Sequence, residues 1–160
     1  MAAKFSDDEI RAFLQERKPL TDEYRSKIHL RDKRGHKEQE LDVQGASGNQ
    51  FRLILRKSKF NPLDFSIILA YCPPSSNQLF RLRRYNGKSH EHTNTIESDS
   101  FYTFHIHTAT ERYQGLGMRE DTYAEPSERF FDFHSAVKCM LSDCGFDVPA
   151  NPQQSLFEEM

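Results

Sequence analysis

The sequence predicts an α+β fold: a mostly antiparallel five-stranded sheet with N-terminal and C-terminal helices packed on one face. Apolar residues recur at helical spacing near both ends, and they alternate with polar ones through the middle of the chain. Gly, Asn and Pro clusters punctuate the alternating runs, as hairpin connections require.

SDDEIRAFLQERKP opens as a helix, with Ser6 or Asp7 as N-cap, acids in the first turn, Ile10, Phe13 and Leu14 on one face, and Pro19 beyond its end. Thr21 starts a further short helix, and His29 and His36 read as solvated loop residues. From Glu38 the period is two. Leu41 and Val43 alternate with acids, GASGN makes a turn, and Phe51, Leu53 and Leu55 alternate with Arg52 and Arg56. DFSIILAYC is the third strand, closed by Pro73 and Pro74. NQLFRLRRYNG is the fourth, with Phe80 and Leu82 on one face and Arg81, Arg83 and Tyr85 on the other. SFYTFHIHTA is the fifth; Tyr102, Phe104 and Ile106 share a face, so His105 and His107 share the opposite one. SERFFDFHSAVKCMLSDCGF closes the fold as a helix with its apolar stripe on the sheet and Gly145 as C-cap.

A chain of 160 residues with 36% hydrophobic content forms one domain, assigned to residues 1–146, with a Phe-rich core drawn from 13 Phe and no Trp. Residues 147–160 read as a flexible tail. FSIILAY is too short to span a bilayer, and MAAKFSDDEI has no signal-peptide apolar stretch, so a cytoplasmic protein with no membrane partner is expected. Cys72, Cys139 and Cys144 form no CxxC and no even set, which points to reduced thiols. The net charge of -2 is unevenly spread: residues 51–90 hold eight Lys or Arg against Asp64 alone, while residues 117–160 hold nine acids and three bases.

KSHEHTNTIESDSFYTFHIHTATERYQ carries two His-x-His pairs, His90 with His92 and His105 with His107. Alternation places Arg52, Arg56, Arg81, Arg83, Tyr85, His105 and His107 on one open sheet face. One reading is metal-independent RNA cleavage with no cofactor. His92, His105, His107 and Glu111 would exchange protons, Tyr113 would donate a hydrogen bond, and arginines would hold the phosphate. A second is a zinc-binding enzyme, because residues i and i+2 of a strand present imidazoles to a common ion. A third is nucleic-acid binding without cleavage, on Arg52, Arg56, Arg81, Arg83, Arg84 and Tyr85. The plainest alternative is a solvated basic face with ordinary polar histidines.

In the tail, QQSLF resembles the short peptide by which bacterial proteins dock on the replicative sliding clamp, which would make Gln153, Leu156 and Phe157 contacts for a protein partner. The central region, residues 50 to 145, resembles a family of small uncharacterised prokaryotic proteins, a domain of unknown function with an HxN and HxHxxxExY pattern. Arg84 and Tyr85, His92 and Asn94, His105, His107, Glu111 and Tyr113, and Asp143 with Cys144 match it in turn. Thr95, Ile96 and Glu97 stand where that pattern has Pro-Asp-Gly, which implies a different turn after Asn94. The resemblance implies a shared polar site and supplies no activity; small proteins of this kind resemble toxin components or phage-related factors, so that, joined to the His/Glu reading above, the expectation is a toxin-like or phage-related, RNA-acting endoribonuclease.

Overall fold

The computed structural model describes residues 4–20 and 30–148. The short helix expected from Thr21, His29, and the tail residues Gln153, Leu156 and Phe157 lie outside them. The chain builds α1 (Asp7–Gln15), β1 (Lys18–Pro19), β2 (Arg31–Lys33), β3 (His36–Gln44), β4 (Gln50–Ser58), β5 (Phe65–Tyr71), β6 (Phe80–Asn86), β7 (His92–Asn94), β8 (Asp99–Phe101), β9 (His105–Thr108), α2 (Glu111–Gly115), β10 (Ala124–Pro126), α3 (Phe133–Asp143) and β11 (Phe146–Asp147). The α+β class stands, but the main sheet has seven strands in the order β10-β9-β6-β5-β4-β3-β2, every neighbouring pair antiparallel. The two strands beyond the expected five are short edges. β2 lies in a charged run without alternation, and β10 ends on Pro126, whose missing N–H suits an edge.

The N-terminal helix starts as its sequence dictates. The Ser6 side chain accepts from the Glu9 N–H and Glu9 reaches back to the Ser6 N–H, so two otherwise orphaned donors are satisfied. The C-terminal helix begins later than its apolar pattern suggests, because Asp132 and Ser135 form the capping box there. It ends at Gly145 with φ +76, where an added Cβ would come within 2.6 Å of the Glu16 carbonyl oxygen. Both helices feed one core. Phe13 stacks on Tyr71 with centroids 4.1 Å apart, and Phe133 meets Phe65 edge-on at 6.2 Å. No helix among the described residues is long and apolar enough to cross a membrane.

Two local departures decide where the site sits. In β6 the register shifts between Leu69 and Ala70: Arg83 faces Leu69 and Arg81 faces Ala70, leaving Leu82 as an extra residue. Such a bulge inverts the inside-outside phase of the strand beyond it. Tyr85, opposite Ile67, therefore enters the core and is fully buried, while Arg84 and Asn86 turn to the face that carries His107 and His105. The expectation that Arg83 and Tyr85 share the histidine face is corrected accordingly. SFYTFHIHTA is also not one strand. The chain leaves β8 after Phe101, exposes Tyr102 and enters β9 at His105, so β7 and β8 form a separate hairpin.

Candidate metal centre

β9 places His105 and His107 side by side, buried, opposite Asn86 and Arg84 of β6. His92, on β7, joins them. Its ring centroid is 5.5 Å from that of His105 and 4.8 Å from that of His107, and one ring nitrogen from each of the three lies within 4.8 Å of the others. Phe101, paired with His92 across the hairpin, flanks the group at 5.5 Å from His92 and 5.6 Å from His105.

The hydrogen bonds fix each ring's tautomer. His105 Nδ1 lies 2.8 Å from the Thr103 carbonyl and His107 Nδ1 lies 2.8 Å from the Asp121 carbonyl. A carbonyl only accepts, so both rings carry hydrogen on Nδ1 and a lone pair on Nε2. Asn94, buried, takes the Ala124 N–H at its Oδ1 (2.9 Å) and donates from Nδ2 to the Ala124 carbonyl (2.7 Å), which sets the orientation of its amide. His92 Nε2, 2.9 Å from that same Oδ1, must therefore donate, and its lone pair is on Nδ1. Three convergent imidazoles are left with three lone pairs. The nearest side-chain amide, Asn86 Nδ2, is 3.5 Å from His105 Nε2, at the outer limit of a hydrogen bond.

Burial holds the His105 and His107 rings neutral. It pushes His105 down to about 4 and His107 down to about 2, with the Arg84 charge adding to the effect in both. Arg84 is itself offset by Asp121, a fully buried carboxylate whose Oδ2 lies 3.5 Å from Arg84 Nε and whose Oδ1 lies 2.8 Å from Arg119 Nε. Neither oxygen has an aligned hydrogen bond, so the pairing is one of charge. Asp121 thus faces two guanidinium groups and offsets the Arg84 charge only in part, so that charge still bears on the histidines.

Other expected site residues fall elsewhere. Glu111 accepts from the Asp7 N–H (3.2 Å) and ties α2 to α1. The Tyr113 hydroxyl accepts from Ile96 N–H and donates to Glu97 (3.2 Å), bracing the turn after Asn94. That turn closes by Ser98 N–H to the Asn94 carbonyl, with Ser98 at φ 59. His90 is exposed and meets Ser89. Among the expected phosphate-binding residues, Arg52 pairs with Asp42 (2.8 Å) and Arg81 with Glu120 (4.0 Å). Arg83 is half-buried near Tyr85 and the Asp143 carboxylate, and Tyr85 donates to Asp143 (2.6 Å) beneath α3. A buried Tyr85 ring is unavailable for base stacking. Only Arg56 of the six is exposed on the sheet and outside any ion pair among the described residues.

Sequence reading missed Asp121, Asn86 and the carbonyl of Thr103, because backbone acceptors and residues across a bulge leave no pattern in the chain. No family model matches the chain, and neither a curated protein nor a solved structure does.

Proposed function

We propose that the protein is a metal-dependent hydrolase whose centre is a zinc-type ion held by His92, His105 and His107. The observation behind this reading is the convergence of three imidazoles whose tautomers are fixed by acceptor-only partners, leaving a lone pair on each. Three neutral nitrogens suit zinc, which in catalytic sites keeps a fourth position for water. Such an ion lowers the pKa of bound water and polarises an oxygen of the substrate.

The chain's own residues supply the rest. The Thr103 and Asp121 carbonyls and the Asn94 amide orient the rings, as outer partners of metal-bound histidines do. Burial keeps His105 and His107 unprotonated, so protons compete weakly for the ligand nitrogens. Phe101 shields one side of the group. Metal-free proton transfer by His and Glu finds less support. Imidazoles held at about 4 and about 2 are poor acids and weak bases near neutrality, and Glu111 is engaged at α1.

The test is the metal content of protein purified without a metal-affinity tag. About one equivalent of zinc per chain is expected, lost in the His105→Ala, His107→Ala pair, with a four-coordinate cobalt spectrum on substitution. Protein that takes up neither zinc nor cobalt while remaining folded would overturn the reading.

A further inference from the structure

We infer that the β2–β3 turn and the end of β4 form a docking surface for single-stranded nucleic acid, at the opposite side of the sheet from the histidines and on the same face. Taking that strand as the substrate of the metal centre rests on the hydrolytic reading above; the docking surface itself does not.

Residues 31–37 and 56–59 contain seven Lys or Arg and one acid. The register divides them between the two faces: Lys33 faces His36, His36 faces Ser58 and Arg56 faces Glu38 on the histidine face, whereas Lys37 and Lys57 pair on the other face, where Lys57 lies over the Phe133 ring. The contrast with the remaining arginines is plain. Arg52, Arg81, Arg84 and Arg129 each have a carboxylate partner, whereas Arg34 and Arg56, which line the cleft on the histidine face, have no ion pair among the described residues.

Two further features identify the anion. Phe60 is 83% exposed amid these cations, its ring lying where a Cβ on Gly35 would be only 3.9 Å away. An exposed ring beside unpaired cations is what unstacked bases use, and it offers nothing to a simple phosphate or an acidic peptide. Beside it, Arg34, His36, Arg56 and Ser66, with one carboxylate, Asp64, line a cleft of about 390 Å³. That cleft leads toward the metal centre. Ser66 faces Asn86, which faces His105, and the Ser66 hydroxyl bonds Asn86 Oδ1 at 2.8 Å. Two strand spacings of roughly 4.8 Å put His105 about 10 Å from Ser66.

The experiment is a fluorescence-anisotropy titration of the full-length chain with labelled single-stranded RNA and DNA of about 12 nucleotides. Binding should weaken at least about tenfold between roughly 50 and 200 mM salt. The Arg34→Ala, Arg56→Ala variant should lose about tenfold or more at low salt, and Phe60→Ala about fivefold, with metal content unchanged in both. Equal binding of the two strands assigns recognition to phosphates and bases; an RNA preference adds the 2′-hydroxyl. Failure of both strands to bind, unchanged affinity in both variants, or displacement by polyglutamate as readily as by unlabelled strand would overturn the proposal. The His105→Ala, His107→Ala pair should bind the strands as the parent does. Docking with no metal uptake would sink the hydrolytic reading alone, and metal uptake with no docking would sink only this one.

Discussion

Lys18 and the histidine group are both polar clusters sealed against the same sheet, and the fold completes one while leaving the other open. Lys18 is fully buried, and its ammonium donates to four carbonyls, those of Phe13, Leu14, Glu16 and Cys144, at 2.7 to 3.3 Å. It caps the ends of α1 and α3 together, where the helix dipoles favour a cation. Burial lowers it to about 8, which leaves it mostly charged at neutral pH. Phe51 covers it at 4.5 Å from the ring centroid. Every donor has an acceptor, so nothing remains to bind. The histidines have one nitrogen each equally well satisfied, yet each keeps a lone pair on the other, with the Asn86 amide reaching His105 Nε2 only at 3.5 Å. Burying polar groups is therefore not a mark of function by itself; leaving their capacity unfilled is.

The largest effect should come from breaking the completed cluster. Lys18→Met removes the donor from four carbonyls, two buried and two half-buried, and should cost about 3 kcal/mol or more, read as a lower urea midpoint, with zinc binding per folded molecule unchanged. A loss below about 1 kcal/mol would mean that the clamp is not structural.

The open cluster should instead make the metal-free protein sensitive to acid. The unfolded chain takes up protons at His105 and His107 near 6.5, while the folded chain resists until about 4 and about 2. The unfolded state thus binds more protons below pH 6.5, so stability is highest above that value and falls on acidification. The slope is up to about 1.4 kcal/mol per pH unit for each histidine. Denaturation of apo protein between pH 7 and 4 measures it, and the His105→Ala, His107→Ala pair should flatten the slope.

Asn94→Ala sharpens the same contrast from the outer shell. Removing the amide that orients His92 should weaken zinc affinity about 10- to 100-fold, measured by competition with a chelating dye. The smallest effect belongs to Glu111→Gln, at the α1–α2 contact. It should change stability by no more than about 0.5 kcal/mol and leave zinc affinity and any hydrolysis intact. A large loss of hydrolysis there would restore Glu111 as a proton-transfer group.

Much of the frame was legible in the chain. The N-cap at Ser6 or Asp7, the Gly145 cap, the alternation of Phe51, Leu53 and Leu55, and the shared face of His105 and His107 all follow from local periods and turn chemistry. His92 stood out by its His-x-His pair, and the fold brings it to the group with Asn94 beside it. The edge strands β2 and β10 and helix α2 were missed, being too short for a period to emerge.

What the sequence determined by itself was the α+β class, the helical ends, and the side of β9 on which the imidazoles emerge, because each depends on spacing within one segment. What only the tertiary structure decided was the company those imidazoles keep. A single extra residue at Leu82 inverted β6, sending Tyr85 into the core and Arg84 to the histidines. The β7–β8 hairpin brought in His92, and two distant carbonyls and one amide set the tautomers. A bulge arises from how two strands pair, and a hydrogen-bond partner from where the chain returns, so neither is written in the period of any one stretch.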